Sequence, residues 1–242
     1  RSGQGTLQVR SAYRRALHFS TVSGYVRFLD FQQVDQAQQK LIDNLQEELE
    51  TSSRMQTALM PSESPQMDGF DIAGTGLSAN HVGGDFFQYF KFSGDRLAFS
   101  MADVTGKAMA AAIPVVMFSG ILRTEMRQNK VLEQLYYDLN ETLCEVLQDR
   151  THVCFLMGDL DPSTRSLRMS NSGCPYPLHY QAASKSVVEL QADAYPLGVR
   201  PATRYRTIGT DLAVGDYLVL CSDGIMEAMD DDGSALGFDR MR

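Results

Sequence analysis

Past Pro61 the chain reads as strands, then two helices, then strands again, and that order excludes a simple chain of βαβ units. Phe70 to Leu77, Phe86 to Phe92 and Arg96 to Met101 are rich in aromatic and branched residues, and Ser93-Gly94-Asp95 supplies a hairpin turn between the last two. Helical stretches follow over Lys107 to Arg127 and Val131 to Gln148, the second with Leu132, Leu135, Leu139, Leu143 and Leu147 recurring every three to four residues. Strands resume at Val153 to Leu160, Ser166 to Ser170, Pro177 to Tyr180, Ser186 to Leu190, Arg204 to Ile208 and Tyr217 to Cys221, separated by turns such as Asp161-Pro162-Ser163. The expected class is α+β with antiparallel sheets, both helices lying against a sheet.

Upstream of Pro61 the texture changes. From Phe31 to Met60 there is neither proline nor glycine, and Val34, Ala37, Leu41, Leu45, Leu49, Met55 and Leu59 fall at helical spacing. The stripe is narrow, as in a coiled-coil seam, although Ser52 and Ser53 weaken the heptad. Two readings stand: a helix that pairs with a second copy, or one packed on its own domain. The segment is divided as 1–30, the unassigned end of an upstream sensory or regulatory domain; 31–60, a helical linker; and 61–242, the principal domain.

With 22 basic and 30 acidic residues the formal charge is −8, and no Lys/Arg run offers a footprint for nucleic acid. The four cysteines, Cys144, Cys154, Cys174 and Cys221, contain no Cys-x-x-Cys pair, so a reducing cytoplasm is expected. Ala108 to Leu122 is uncharged but shorter than the roughly 20 residues of a bilayer span. An opening Arg1 in place of methionine points to a piece of a longer protein.

Three acidic corners carry the chemistry: Gly83-Gly84-Asp85, Ala102-Asp103-Val104-Thr105-Gly106-Lys107 and Ser222-Asp223-Gly224. Glycine lets backbone approach a ligand closely, and a carboxylate beside it meets a hard cation with little obstruction. Any one of these aspartates alone is as readily a turn or helix cap.

The ordered set resembles the SpoIIE/RsbU branch of the PPM (type 2C) metal-dependent serine/threonine protein phosphatases. The matching pieces are Met55-Gln56-Thr57-Ala58-Leu59-Met60-Pro61, Val82-Gly83-Gly84-Asp85-Phe86-Phe87, Asp103-Val104-Thr105-Gly106-Lys107 with Ala110-Ala111-Ala112, and Leu160-Asp161-Pro162. Asn171-Ser172-Gly173, Pro196-Leu197-Gly198-Val199, Val214-Gly215-Asp216 and Ser222-Asp223-Gly224 with Glu227 complete it. The resemblance implies an αββα sandwich, two antiparallel sheets flanked by helices, with two Mn²⁺ or Mg²⁺ ions at one end. It implies that Asp103 bridges the ions and is the catalytic carboxylate, that the Val104 carbonyl faces one ion, that Asp223 binds the other, and that Asp85 joins directly or through water. His81 and Lys107 are candidates for holding substrate, against the plainer reading of each as a solvated side chain.

Departures from the family pattern are informative. Gly106-Lys107-Ala108 stands for Gly-Lys-Gly, Gly173-Cys174-Pro175 for Gly-His-Pro, and Gln88 replaces an aspartate. A further metal-binding aspartate is expected beyond Arg242, because Asp230, Asp231 and Asp232 read as a solvated loop.

The leading expectation is hydrolysis of phosphoserine or phosphothreonine on a regulatory partner, a STAS-type anti-sigma-factor antagonist, under control of an upstream sensory domain acting through a dimeric helix. The competing reading is a catalytically degenerate domain that scaffolds a dimer. A third, from Gly83-Gly84-Asp85-Phe86-Phe87, is a diguanylate cyclase-like enzyme, which leaves Asp103 and Asp223 unexplained.

Overall fold

The computed structural model describes residues 22–78, 82–92, 95–106, 109–148, 150–238 and 240–241. The chain divides into two compact units, one ending at Ser52 and the other beginning at Ser53. The first consists, among the described residues, of helix α1 (Val22–Thr57), which continues across the division. It starts earlier than the linker read from the sequence and stops three residues short of Met60. Its stripe residues Val34, Leu41 and Leu45 are exposed.

In the second unit, β1 (Asp85–Lys91), β2 (Leu97–Val104), β3 (Val153–Asp161), β4 (Ser166–Ser172) and β7 (Ile208–Asp211) form one antiparallel sheet in the order β1-β2-β3-β4-β7. A smaller antiparallel sheet has the order β6-β5-β8, from β5 (Leu178–Gln181), β6 (Ser186–Glu189) and β8 (Tyr217–Val219). Helices α2 (Met109–Met126) and α3 (Leu132–Val146) cover one face of the larger sheet, and the smaller sheet covers the other. The expected α+β class and paired antiparallel sheets are present.

Why the layers stack this way follows from the alternation along β2 and β3. Ala102 and Val104 on β2, with Val153, Phe155 and Met157 on β3, point to the helices, while Met101, Cys154 and Leu156 point to the second sheet. On the helical side α3 buries Leu132, Leu135, Tyr136, Leu139, Asn140 and Leu143, an i, i+3, i+4 face matching the leucine spacing of its sequence. Phe118 of α2 packs edge-on to Phe155 at 5.2 Å, and Tyr136 lies 5.1 Å from the same ring. Such aromatic pairs contribute roughly 0.5–1.5 kcal/mol each beyond the area they bury. The Tyr136 hydroxyl donates to the Ser170 carbonyl at 2.5 Å, so the polar end of this buried ring is satisfied.

Two strand expectations are corrected. Residues 70–77 form no ladder strand, only an isolated Met67–Phe70 bridge near their start. A side chain at Gly74 would stand 2.4 Å from the Tyr89 hydroxyl and 2.7 Å from the Phe87 ring, so this segment lies across β1 side chains, where no strand partner is offered. The strand expected at Arg204 to Ile208 begins only at Ile208, because Tyr205 is drawn into the helical-side core and donates its hydroxyl to Asn140 at 3.0 Å. The expected Ser93-Gly94-Asp95 turn falls partly outside the described residues. The Asp161-Pro162-Ser163 turn is present, with Asp161 accepting from the Ser163 amide at 2.9 Å.

Candidate active site at the ends of the two sheets

β1 begins with Asp85 and β2 ends with Asp103-Val104, and the antiparallel register sets Asp85 directly opposite Asp103. On the other side of Asp103 the same register places Cys154 of β3. Directly opposed residues share a face, and this row faces the second sheet. From that sheet the chain leaves β8 and enters the short helix α4 (Asp223–Met226), bringing Asp223 and Glu227 to the same end of the sandwich. Asp223 and Glu227 stand near enough for their charges to act on Asp103.

Gly84 makes the meeting possible. Its carbonyl accepts from the Val104 amide at 3.1 Å. A methyl group there would lie 2.3 Å from the Val104 carbonyl oxygen and 2.7 Å from Asp103 Oδ1, so no side chain fits. On the far side of Asp103, Thr105 locks the chain to the start of β3: its hydroxyl accepts from the His152 amide at 2.8 Å and donates to the His152 carbonyl at 3.1 Å.

The electrostatics of the cluster are repulsive. Burial, then the charges of Asp85 and Asp223, a hydrogen bond shared with Asp85, and the charge of Glu227 push the Asp103 carboxyl from 3.8 up to about 6. Asp85, Asp223 and Glu227 are themselves exposed. Burial and the same aspartates push the Cys154 thiol up to about 11, and burial holds the Cys174 thiol well above its ordinary value, so both are kept as thiols.

The donor types fit a hard divalent cation: carboxylate oxygens, the Val104 carbonyl, and the room that Gly84 leaves beside both. Among the described residues no three His, Cys, Asp or Glu side chains close on a single point. His81 and Lys107 lie outside the described residues. Asp230, Asp231 and Asp232 are exposed, on a turn where Asp230 accepts from the Ser234 amide at 2.8 Å. Gln88, standing where the family pattern has an aspartate, faces the helices: its Nε2 donates to Ser119 Oγ at 2.7 Å and to the Leu59 carbonyl at 3.2 Å.

Two polar side chains escaped sequence reasoning. Gln56, on the last turn of α1, bonds the Gly83 backbone. Asn140, on the apolar face of α3, joins the Gly198 amide, the Arg200 carbonyl and the Tyr205 hydroxyl. The only signal for Asn140 was a polar residue in a leucine stripe; for Gln56 there was its place in the Met55 to Pro61 motif.

An antiparallel double sheet with helices on its outer face is the fold of PP2C-type domains. The chain belongs to the SpoIIE family, described as Stage II sporulation protein E, whose sequence pattern matches residues 93–242. Among its relatives is the phosphoserine phosphatase RsbU of Bacillus subtilis (strain 168), 21% identical over 189 residues, covering 78% of this chain and 56% of that protein. The chain therefore spans little more than half of that relative's length. Among solved structures, the SiaA-PP2C domain of Pseudomonas aeruginosa superposes with a TM-score of 0.65 at 18% identity, over 85% of this chain and 81% of that one. The RsbU and RsbW domains of Rv1364c from Mycobacterium tuberculosis give a TM-score of 0.54 at 23% identity, over 63% of this chain and 42% of theirs.

Proposed function

We propose that this protein is a divalent-cation-dependent phosphatase acting on phosphoserine or phosphothreonine of a regulatory partner protein. The observation that carries the reading is the gathering of Asp85, Asp223 and Glu227 around Asp103, with the Val104 carbonyl and the open side of Gly84 beside it. Four acidic groups at one sandwich end repel one another, an arrangement that a cation would relieve.

In this reading Asp103, Asp223 and Asp85 would hold Mn²⁺ or Mg²⁺ with the Val104 carbonyl. Two such ions would supply Lewis-acid activation of water and charge stabilisation for in-line displacement on phosphorus. The chain's own residues then have separate tasks. Asp103, the most buried of the carboxylates, faces like charges that a bound cation would offset. Gly84 keeps the approach clear, and Thr105 fixes the strand end. Lys107 and His81 are assigned to the substrate phosphate.

The proposed substrate is a STAS-type anti-sigma-factor antagonist, as the family resemblance implies; the naming of the relative RsbU as a phosphoserine phosphatase supports a phosphoserine substrate. Helix α1, with Val34, Leu41 and Leu45 uncovered, is proposed to pair with a second copy and to carry the state of an upstream domain. No helix among the described residues is long and apolar enough to cross a membrane.

Orthophosphate release from a phosphoseryl substrate tests this. The protein stripped with a chelator is expected to be inactive, to recover on addition of Mn²⁺, and to fail to recover when Asp223→Asn is present. Activity that survives chelation would remove the reading. The scaffold alternative draws on the carboxylates not closing on one point among the described residues; it would be supported if Mn²⁺-replete protein bound a phosphorylated partner and released no phosphate.

A further inference from the structure

Gln56 is a buried polar side chain, 6% exposed, on the last turn of α1. Its carboxamide spends both of its hydrogen-bonding ends on a single residue 27 positions away: Nε2 donates to the Gly83 carbonyl at 2.6 Å, and Oε1 accepts from the Gly83 amide at 2.9 Å. A side-chain amide paired this way with a backbone amide fixes both position and orientation, as a rung of a β-ladder does. Gly83 precedes the β1–β2 ladder, whose register begins at Asp85.

The geometry around Gly83 and Gly84 leaves little freedom. From one side Gln56 holds Gly83; from the other, the Val104 amide holds the Gly84 carbonyl, and Gly84 presses on Val104 and Asp103 too closely for a side chain. Asp85 is the next residue. Two residues of backbone separate the Gln56 carboxamide from a carboxylate that shares a hydrogen bond with Asp103.

We infer that Gln56 is a positioning residue for the cation site: its carboxamide sets where Asp85 stands against Asp103. The inference rests on the phosphatase reading above, since it assumes that cations bind at this corner. Partners that orient a metal ligand from behind commonly alter affinity by about 10- to 100-fold when removed. Gln88 provides an internal control. It also ties the end of the same segment to β1, through Leu59 and Ser119, but it points to the helical side and touches neither the corner nor a carboxylate.

The test is calorimetric Mn²⁺ titration of the full chain and its Gln56→Met, Gln88→Met and Asp103→Asn forms, alongside thermal unfolding and the Mn²⁺ dependence of phosphate release. Gln56→Met is expected to bind Mn²⁺ at least about tenfold more weakly. Its half-activating Mn²⁺ concentration should rise in step, while the rate at saturating Mn²⁺ stays near that of the parent. Gln88→Met is expected to shift the unfolding temperature with unchanged Mn²⁺ affinity. Should Gln56→Met lose cooperative unfolding, Gln56→Asn takes its place; it keeps the amide but withdraws it by one methylene, with the same weakening expected. Parent-like Mn²⁺ binding by the folded Gln56 variant, or equal losses in both glutamine variants, overturns the inference. If the parent chain binds no Mn²⁺, or Asp103→Asn binds as the parent does, the phosphatase reading itself is what fails.

Discussion

Two polar clusters in this domain are built on opposite terms. Around Asn140, at 0% exposure, donors and acceptors are matched: the amide donates to the Arg200 carbonyl at 2.9 Å and to Glu141 Oε1 at 3.3 Å, and its oxygen accepts from the Gly198 amide and the Tyr205 hydroxyl, each at 3.0 Å. Around Asp103 the groups are alike in charge, and the Asp103 carboxyl is driven up to about 6 by burial and by its neighbours. The first cluster ties α3 to the chain that follows Leu197 and stabilises the fold. The second costs stability as it stands, a cost that the proposed cation would relieve and that has no counterpart in the first.

The contrast is broken most severely at Gly84. Replacing it with alanine drives a methyl group into the Val104 carbonyl and Asp103 Oδ1, so phosphatase activity is expected to fall by more than about 100-fold, since displacements near 1 Å at a reacting centre have effects of that size. Steady-state phosphate release would show it, with circular dichroism confirming that the larger sheet survives.

At the other cluster, Asn140→Ala strands the Gly198 amide and the Tyr205 hydroxyl in the interior. A loss of about 3 kcal/mol is expected from buried groups left without partners, seen as a lower denaturation midpoint in urea. Activity per folded molecule should be retained; a matching loss of activity would erase the division between the two clusters.

A smaller effect appears in the pH dependence of the chelated protein. Asp103 has a folded value near 6 against 3.8 for the free carboxyl, so the folded chain binds more protons and its stability falls as pH rises from about 4 to about 6. Because the site is partly open to water, the contribution is discounted to roughly 1 kcal/mol. Asp103→Asn should flatten this fall in urea titrations. The least effect is expected from Asp231→Asn and Asp232→Asn, whose exposed side chains stand on a turn: less than about twofold in activity and within about 0.5 kcal/mol in stability.

The sequence showed best what depends on local periodicity. The leucines of α3 marked its buried face, aromatic and branched content marked β2 and β3, and the glycine-flanked aspartates marked corners of which Asp85 and Asp103 prove to be strand ends. Legibility failed where the determining partner is distant in the chain. Residues 70–77 have strand-like composition but lie across Phe87 and Tyr89 without a ladder, and Tyr205 is withheld from β7 by Asn140, 65 positions earlier. Gln56 and Gln88 looked like ordinary polar residues until the fold set them against Gly83, Leu59 and Ser119. Nothing local in the sequence says that one glutamine faces the carboxylates' corner and the other the helices.

The Asp103 cluster is proposed to give up stability in order to bind a cation. Thermal unfolding at neutral pH of the parent chain and Asp103→Asn, each in chelator and in excess Mn²⁺, tests it most directly. In chelator the asparagine variant should melt above the parent, because one repelling charge is gone; in Mn²⁺ the order should reverse, because ligand binding stabilises only the chain that retains the site. Melting curves in which the parent gains nothing from Mn²⁺, or in which Asp103→Asn gains as much, would contradict it.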